Sequence, residues 1–216
     1  MKMPMNWTFK DKNIANNFDR HVRQHLPWYD LVADAISIIA KHYVKQNSVV
    51  YDIGCSTGNM GNQLNDLISE RNAQLIAIDN SESMASKNPN RIIVDDAASF
   101  EYKKFDLAIC NLILQFLSYE QQEILMQKLF KQCNEHGAII VVDKVYNPTE
   151  SQKMTQIKRH ISMNAKLKAG VLHAEITAKE LSLIGIQNPI NPFKLFKNHQ
   201  TTQFFIYGEF TGWIVT

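Results

Sequence analysis

Cysteine is scarce in this chain: Cys55, Cys110 and Cys133 are widely spaced and odd in number. No two stand at metal-ligand spacing and no disulfide framework can be drawn, so reduced thiols in an intracellular protein are expected. An excess of charge of one sign is also missing. Lys and Arg number 23 against 21 Asp and Glu, and a net charge of +2 gives no field strong enough to argue for nucleic acid or a membrane surface. No apolar run approaches membrane-spanning length, and the polar N-terminus has no apolar signal segment. Repeats and low-complexity tracts are lacking too. What remains, at 216 residues with 45% hydrophobic and 20% charged, is an ordinary globular composition with room for one α/β domain and a proper core. The expectation is a cytoplasmic, enzyme-sized domain acting on a small molecule.

The chain declares itself at Val49-Val50-Tyr51-Asp52-Ile53-Gly54-Cys55-Ser56-Thr57-Gly58-Asn59-Met60. An apolar, β-branched run stops at glycine, small residues follow, and a helical pattern opens after Asn59. Such a strand, tight turn and helix lets backbone pass close to a ligand and gathers free amides at the helix start. Asp52, at the strand end, suits a nucleoside ligand with a positive group. The Gly54-x-x-x-Gly58 spacing is not a clean dinucleotide fingerprint, and the Walker lysine is absent, so a dinucleotide or ATP is the weaker reading.

The flanking segments support this turn. Residues 1–17 are polar and rich in Lys and Asn, and poor packing is expected there. From Phe18 to Ala40 apolar residues recur at helical spacing, broken by Pro27, which predicts two helices meeting at Leu26-Pro27-Trp28-Tyr29. Trp28 and Tyr29 read either as packing rings at a helix start or as a lid over a ligand. Short apolar runs at 48–53, 75–78, 91–94, 105–110 and 138–142 alternate with helical patterns. Ser81 is placed to cap a helix of little more than two turns, and His136-Gly137 to stop the helix over 120–133. That alternation predicts a Rossmann-like, doubly wound α/β fold with a mostly parallel sheet. A hairpin of 202–207 and 212–215 closes the sheet antiparallel, and a basic helical insert spans about 147–181. One domain over 1–216 is expected, with a helical lid at about 12–46.

Ligands in open parallel sheets sit at the carboxyl ends of the strands. Here those ends are polar in succession: Asp52, Asp79, Asp95 or Asp96, Asn111 and Asp143. Single aspartates are common turn formers, but several after a glycine turn favour a site. Asp79 falls at the end of the second strand, where a ribose diol would lie, and a carboxylate can accept from both hydroxyls. Asp96 suits an adenine amino group and Ala97 offers a small surface for the ring.

Together Asp52-x-Gly54-x-x-x-Gly58, Asp79-Asn80, Asp96-Ala97 and Asn111 resemble a class I S-adenosylmethionine (SAM)-dependent methyltransferase. More narrowly, four pieces are similar to the carboxy-S-adenosylmethionine synthases. They are Pro27-x-Tyr29, Val50-Tyr51-Asp52-Ile53-Gly54-Cys55-Ser56, Ile76-Ala77-Ile78-Asp79-Asn80-Ser81 and Asn111-x-x-Leu114-Gln115-Phe116-Leu117. The resemblance covers roughly 18–146 and implies SAM, carboxy-SAM or S-adenosylhomocysteine (SAH) held by Tyr29, Asp52, Gly54, Cys55, Ser56, Gly58, Asp79, Asn80, Asp96, Ala97 and Asn111. It also implies that the Tyr29 ring faces the sulfonium. Where that family has a Gln-Lys-Arg segment whose arginine holds a carboxylate, this chain offers Lys166-Leu167-Lys168, which otherwise reads as a solvated helix face.

Three functions follow. The first is methyl transfer from SAM to a small or medium acceptor, with Asp143, His160 and His173 as candidates for a base or acceptor contact. The Asp/Asn-Pro-Pro-aromatic motif of nucleobase amino methylation does not follow the fourth strand, and Asn191-Pro192-Phe193 reads as a turn. The second is carboxy-SAM synthesis from SAM and prephenate, with Lys168 on the carboxylate; the third is SAM binding without catalysis. Tyr29, Lys168 and His173 are therefore the catalytic candidates, with no metal and a possible homodimer.

Overall fold

The computed structural model of the chain describes residues 8–216. Helices α1 (Lys12–His25) and α2 (Tyr29–Tyr43) lead into β1 (Val49–Ile53), α3 (Asn59–Glu70), β2 (Gln74–Asp79), α4 (Glu82–Ala85) and β3 (Ile92–Val94). Then come β4 (Phe105–Asn111), a 3₁₀ turn at Leu114–Phe116, α5 (Tyr119–Gln132) and β5 (Cys133–Lys144). The insert supplies α6 (Gln152–Lys168) and α7 (His173–Ser182), and the chain closes with α8 (Pro192–Leu195), β6 (Thr201–Tyr207) and β7 (Phe210–Val215).

The seven strands lie in the order β3-β2-β1-β4-β5-β7-β6. The first five are parallel, and β7 runs antiparallel to both β5 and β6, so the terminal hairpin forms one side of the sheet. From β1 the chain builds outward through β2 and β3, then returns to lay β4 against the other side of β1. The strand order therefore reverses between β1 and β4, which opens a crevice above their carboxyl ends.

Side-chain alternation divides the core into two layers. Val50, Ile109, Ile140 and Val142 pack with Val32, Ala33, Ile36 and Ala40 of α2 and with Leu64 and Leu67 of α3. Tyr51, Ile53, Cys110, Ile139 and Val141 face the opposite layer, with Leu125 and Leu129 of α5. Both faces of β1 and β4 are thus dry, as their uninterrupted apolar runs require. Among the described residues no helix is long and apolar enough to cross a membrane.

Three local expectations are corrected. Residues 1–7 lie outside the described part, but 12–17 are not poorly packed: Asp11 caps α1, and Ile14 is 2% exposed in a cluster with Met84 and Leu183. A polar helix with one buried Ile gives little periodic signal, because its partners are remote in sequence. Ser81 does accept the Met84 N–H, but the helix it caps is a single turn that ends before Pro89. Finally, α5 stops at Gln132 and His136-Gly137 lies inside β5. A Cβ on Gly137 would come within 2.8 Å of the Asp106 carbonyl, so this glycine serves a close strand approach and is not a helix stop.

Candidate functional site

The turn after β1 is held by its neighbours. The N–H groups of Gly54 and Cys55 both donate to the Ile78 carbonyl, at 2.8 and 3.0 Å. Gly54 has φ +72°, and a Cβ there would meet Ile113 at 2.7 Å, so the crossing at the switch point admits only glycine. Asp79 accepts the Ser56 N–H at 2.9 Å and the Ser81 N–H at 2.8 Å, bracing the turn against the loop after β2. On the other side Thr57 donates to Asp19 at 2.6 Å and Arg23 to Asn59 at 3.2 Å, which ties α1 to the turn.

These contacts border a cavity of about 340 Å³. Of the residues expected to hold a cofactor, Tyr29, Asp52, Gly54, Cys55, Ser56, Asp79, Asn80, Asp96, Ala97 and Asn111 all line it. Gly58 does not. It starts α3 at φ +93° with the Asn88 side chain where its Cβ would be, so its role is to shape the turn.

Burial disfavours the charged form of the carboxyls at the strand ends. Asp52 is 2% exposed, and burial, then the nearby Asp79 charge, push its carboxyl up to about 7 against one lowering N–H bond from Gly61. Burial also raises the Asp79 carboxyl, while the Ser81 and Ser56 amides pull it back. Asp52 Oδ2, Ser56 Oγ and Asn111 Oδ1 are buried with no hydrogen-bond partner among the described residues. Three orphaned oxygens on residues bordering one cavity call for a polar ligand, since each unpaired buried group costs about 1–3 kcal/mol.

Tyr29 is 8% exposed and carries the Arg23 guanidinium 5.7 Å from its ring centroid, with Arg23 also paired to Asp30 at 2.9 Å. Trp28 follows the packing reading, its ring 4.8 Å from Phe205 and 5.1 Å from Phe210.

The opposite wall was not foreseen. His21 and His25 of α1 line the cavity with ring centroids 4.1 Å apart, and Lys144, Lys166, Lys179 and Glu180 join them. Burial lowers His21 to about 2 and His25 to about 4, aided by neighbouring cations, and burial lowers Lys179 to about 5. At neutral pH all three are uncharged. Lys166 pairs with Glu180 at 2.7 Å, while Lys144 lies 3.5 Å from Glu209 and 4.0 Å from Glu180. The i, i+4 spacing of the two histidines beside buried Val22 was the one available signal in the sequence.

The expected catalytic residues divide. Tyr29 lines the cavity, whereas Lys168 and His173 are exposed and do not line it, and His160 is exposed on α6. Residues i and i+2 on a helix sit about 200° apart, so α6 turns Lys168 outward when it buries Lys166. Asp143 is fully buried and used structurally, accepting N–H groups of Leu114 at 2.7 Å, Gln115 at 3.4 Å and Lys144 at 3.0 Å. Burial moves it up to about 8, and it does not line the cavity. Among the described residues no group of His, Cys, Asp and Glu is arranged for a metal.

A family model described as a methyltransferase domain matches residues 44–204. A carboxy-S-adenosyl-L-methionine synthase of Staphylococcus epidermidis is 32% identical over 194 residues, covering 87% of this chain and 84% of the relative. One from Shewanella piezotolerans is 28% identical over 190 residues, covering 83% and 77%. The solved SAM-dependent methyltransferase from Archaeoglobus fulgidus superimposes with a TM-score of 0.60 over 92% of this chain and 98% of its own, at 14% identity, which supports the fold.

Proposed function

The chain belongs to the methyltransferase-domain family, and from that premise we propose that it transfers the methyl group of SAM to a small acceptor that carries no carboxylate. SAM fits the residues present. The orphaned oxygens of Asp52, Ser56 and Asn111 supply unsatisfied acceptors, Asp79 can take a ribose diol, and Asp96 and Ala97 suit an adenine. SAM bound there supplies an electrophilic methyl carbon, and its sulfur keeps the bonding electron pair when the methyl leaves. The chain's own part is to orient, through the Asp79-braced turn, and to exclude water, with α1 and the insert helices α6 and α7 as the lid. Cys55, Cys110 and Cys133 are free thiols, in keeping with a reducing, cytoplasmic setting.

The observation that carries methyl transfer over carboxy-SAM synthesis is the state of the cations. Lys166 and Lys144 face the cavity already engaged by Glu180 and Glu209. A carboxylate arriving there must compete with Glu180 for both charged lysines. The second reading, carboxy-SAM synthesis, is favoured by the names of relatives similar over most of both chains. The two separate on incubation of the protein with SAM and prephenate followed by mass spectrometry of the nucleosides. No carboxy-SAM is the expected result; its appearance overturns the methyl-transfer reading.

The Asp52 carboxyl adds a pH test. Its raised value means that the ligand-free protein holds a proton there below about 7. If the positive amino group of SAH pairs with Asp52, that proton must leave on binding. SAH affinity should therefore climb as pH rises toward about 7, by up to about tenfold per pH unit, and level off above it. Calorimetry in two buffers of different ionisation enthalpy reads the released proton. Asp52→Asn should bind more weakly and lose the pH dependence; an unchanged slope in that variant removes Asp52 from the role.

A further inference from the structure

We infer that the α1–α7 half of the cavity is the acceptor subsite, that it takes an uncharged heteroaromatic ring bearing one N–H, and that His25 accepts a hydrogen bond from that N–H. This rests on the methyl-transfer reading above.

Two features of that half point to such a ring. The first is its aromatic lining. Phe9, Phe18 and Phe116 border the cavity, with Phe9 edge-on to Phe18 at 6.1 Å and to Phe116 at 4.8 Å, an arrangement that offers ring faces and edges to a flat guest. The second is a nitrogen with nothing to bond. His25 is 9% exposed, its side chain lines the cavity, and its Nδ1 is buried without a hydrogen-bond partner among the described residues. A buried imidazole nitrogen in that state is paired most simply by a ligand N–H. The His21 ring, 4.1 Å away and tilted by 35°, backs the His25 ring and makes His21 a positioning residue.

Charge selects the same class. The charged groups acting on His25 are Lys166 on α6 and Glu175, Lys179 and Glu180 on α7, and the ring packed against it on its own helix is His21. Lys166 and Glu180 neutralise each other at 2.7 Å, so an anion must displace Glu180 and a cation must displace Lys166. An uncharged ring pays neither penalty.

The proton balance also fits. The ring nitrogen that carries no hydrogen gives its in-plane pair to the new bond to carbon, and sulfur retains the pair of the broken carbon–sulfur bond. The positive charge moves from sulfur to the ring, and the N–H bond of the methylated ring then breaks with its pair left on the ring. The proton goes to solvent, so His25 holds and orients the ring through its N–H and stays uncharged. An alkylamine is protonated near neutral pH and has no free pair to give, whereas an azole is neutral and keeps one on its unprotonated nitrogen, which is why the acceptor is assigned as an azole and not an amine.

The test uses the full-length chain loaded with SAH, with benzimidazole as probe and benzoate as its anionic counterpart. Nitrogen NMR of the histidine side chains should show the His25 resonances moving saturably with benzimidazole and not with benzoate. His25→Phe should weaken benzimidazole at least about tenfold while SAH affinity holds. Unmoved His25 resonances in the wild-type protein, or benzoate binding better than benzimidazole and lost in Lys166→Gln, overturns the inference. SAH binding is measured first on the same sample: its failure sinks the SAM reading, whereas SAH bound with benzimidazole ignored sinks the subsite alone.

Discussion

Asp79→Ala is expected to weaken SAH binding by roughly 1–3 kcal/mol, the size of charged hydrogen bonds lost from a ligand hydroxyl pair. The effect has two sources, which a second variant separates. Asp79 lines the cavity, and it also accepts the N–H groups of Ser56 and Ser81 that brace the glycine turn. Alanine removes both functions. Asparagine keeps one acceptor oxygen and turns a donor toward the other amide, so it disturbs the brace while retaining part of the ligand contact. Calorimetry should therefore rank affinity as wild type, then Asp79→Asn, then Asp79→Ala. Wild-type affinity in the alanine variant would remove the ribose assignment and with it much of the case for SAM at this turn.

The second large effect is on stability. Tyr51→Ala should lower the unfolding free energy by about 3–5 kcal/mol, as expected when a large aromatic is removed from a closed core. Tyr51 is 1% exposed and meets Tyr102 at 5.1 Å, Phe105 at 5.6 Å and Phe100 at 6.2 Å, each edge-on. Its hydroxyl accepts the Lys103 N–H at 3.1 Å, which fixes the segment leading into β4. Tyr51→Phe keeps the rings and loses only that bond, for about 0.5–1.5 kcal/mol. Urea unfolding followed by circular dichroism measures both. A loss of less than about 1.5 kcal/mol for the alanine variant would mean that this layer of the core is loosely packed. Tyr51 precedes Asp52 in β1, so the phenylalanine variant should retain SAH affinity, which separates packing from binding.

Much of this molecule could be read before any coordinates. Val49–Ile53 is apolar apart from Asp52 near its end and reads as a central parallel strand, and Gly54 follows where the chain must pass under Ile113. The strand ends at Asp52, Asp79 and Asn111 could be read because a parallel sheet sends every carboxyl end to the same edge. Errors arose where the determining contact was distant. Ile14 is buried by Leu183, and Gly137 is explained by the Asp106 carbonyl on the neighbouring strand.

By itself, then, the sequence determined the sheet, the glycine turn and the acidic half of the cavity, because each depends on residues close along the chain or on strand ends that the topology aligns. Tertiary structure alone decided the other half. Nothing local distinguishes Lys166 from Lys168; only the seating of α6 beside α1 and α7 buries one and exposes the other. That His21, His25 and Lys179 are uncharged follows from burial between segments separated by more than a hundred residues, and that Glu180 neutralises Lys166 follows from the packing of α7 against α6. The turn at Gly54 marks where a nucleoside fits, and the packing of α1 against the insert sets the chemistry that reaches it.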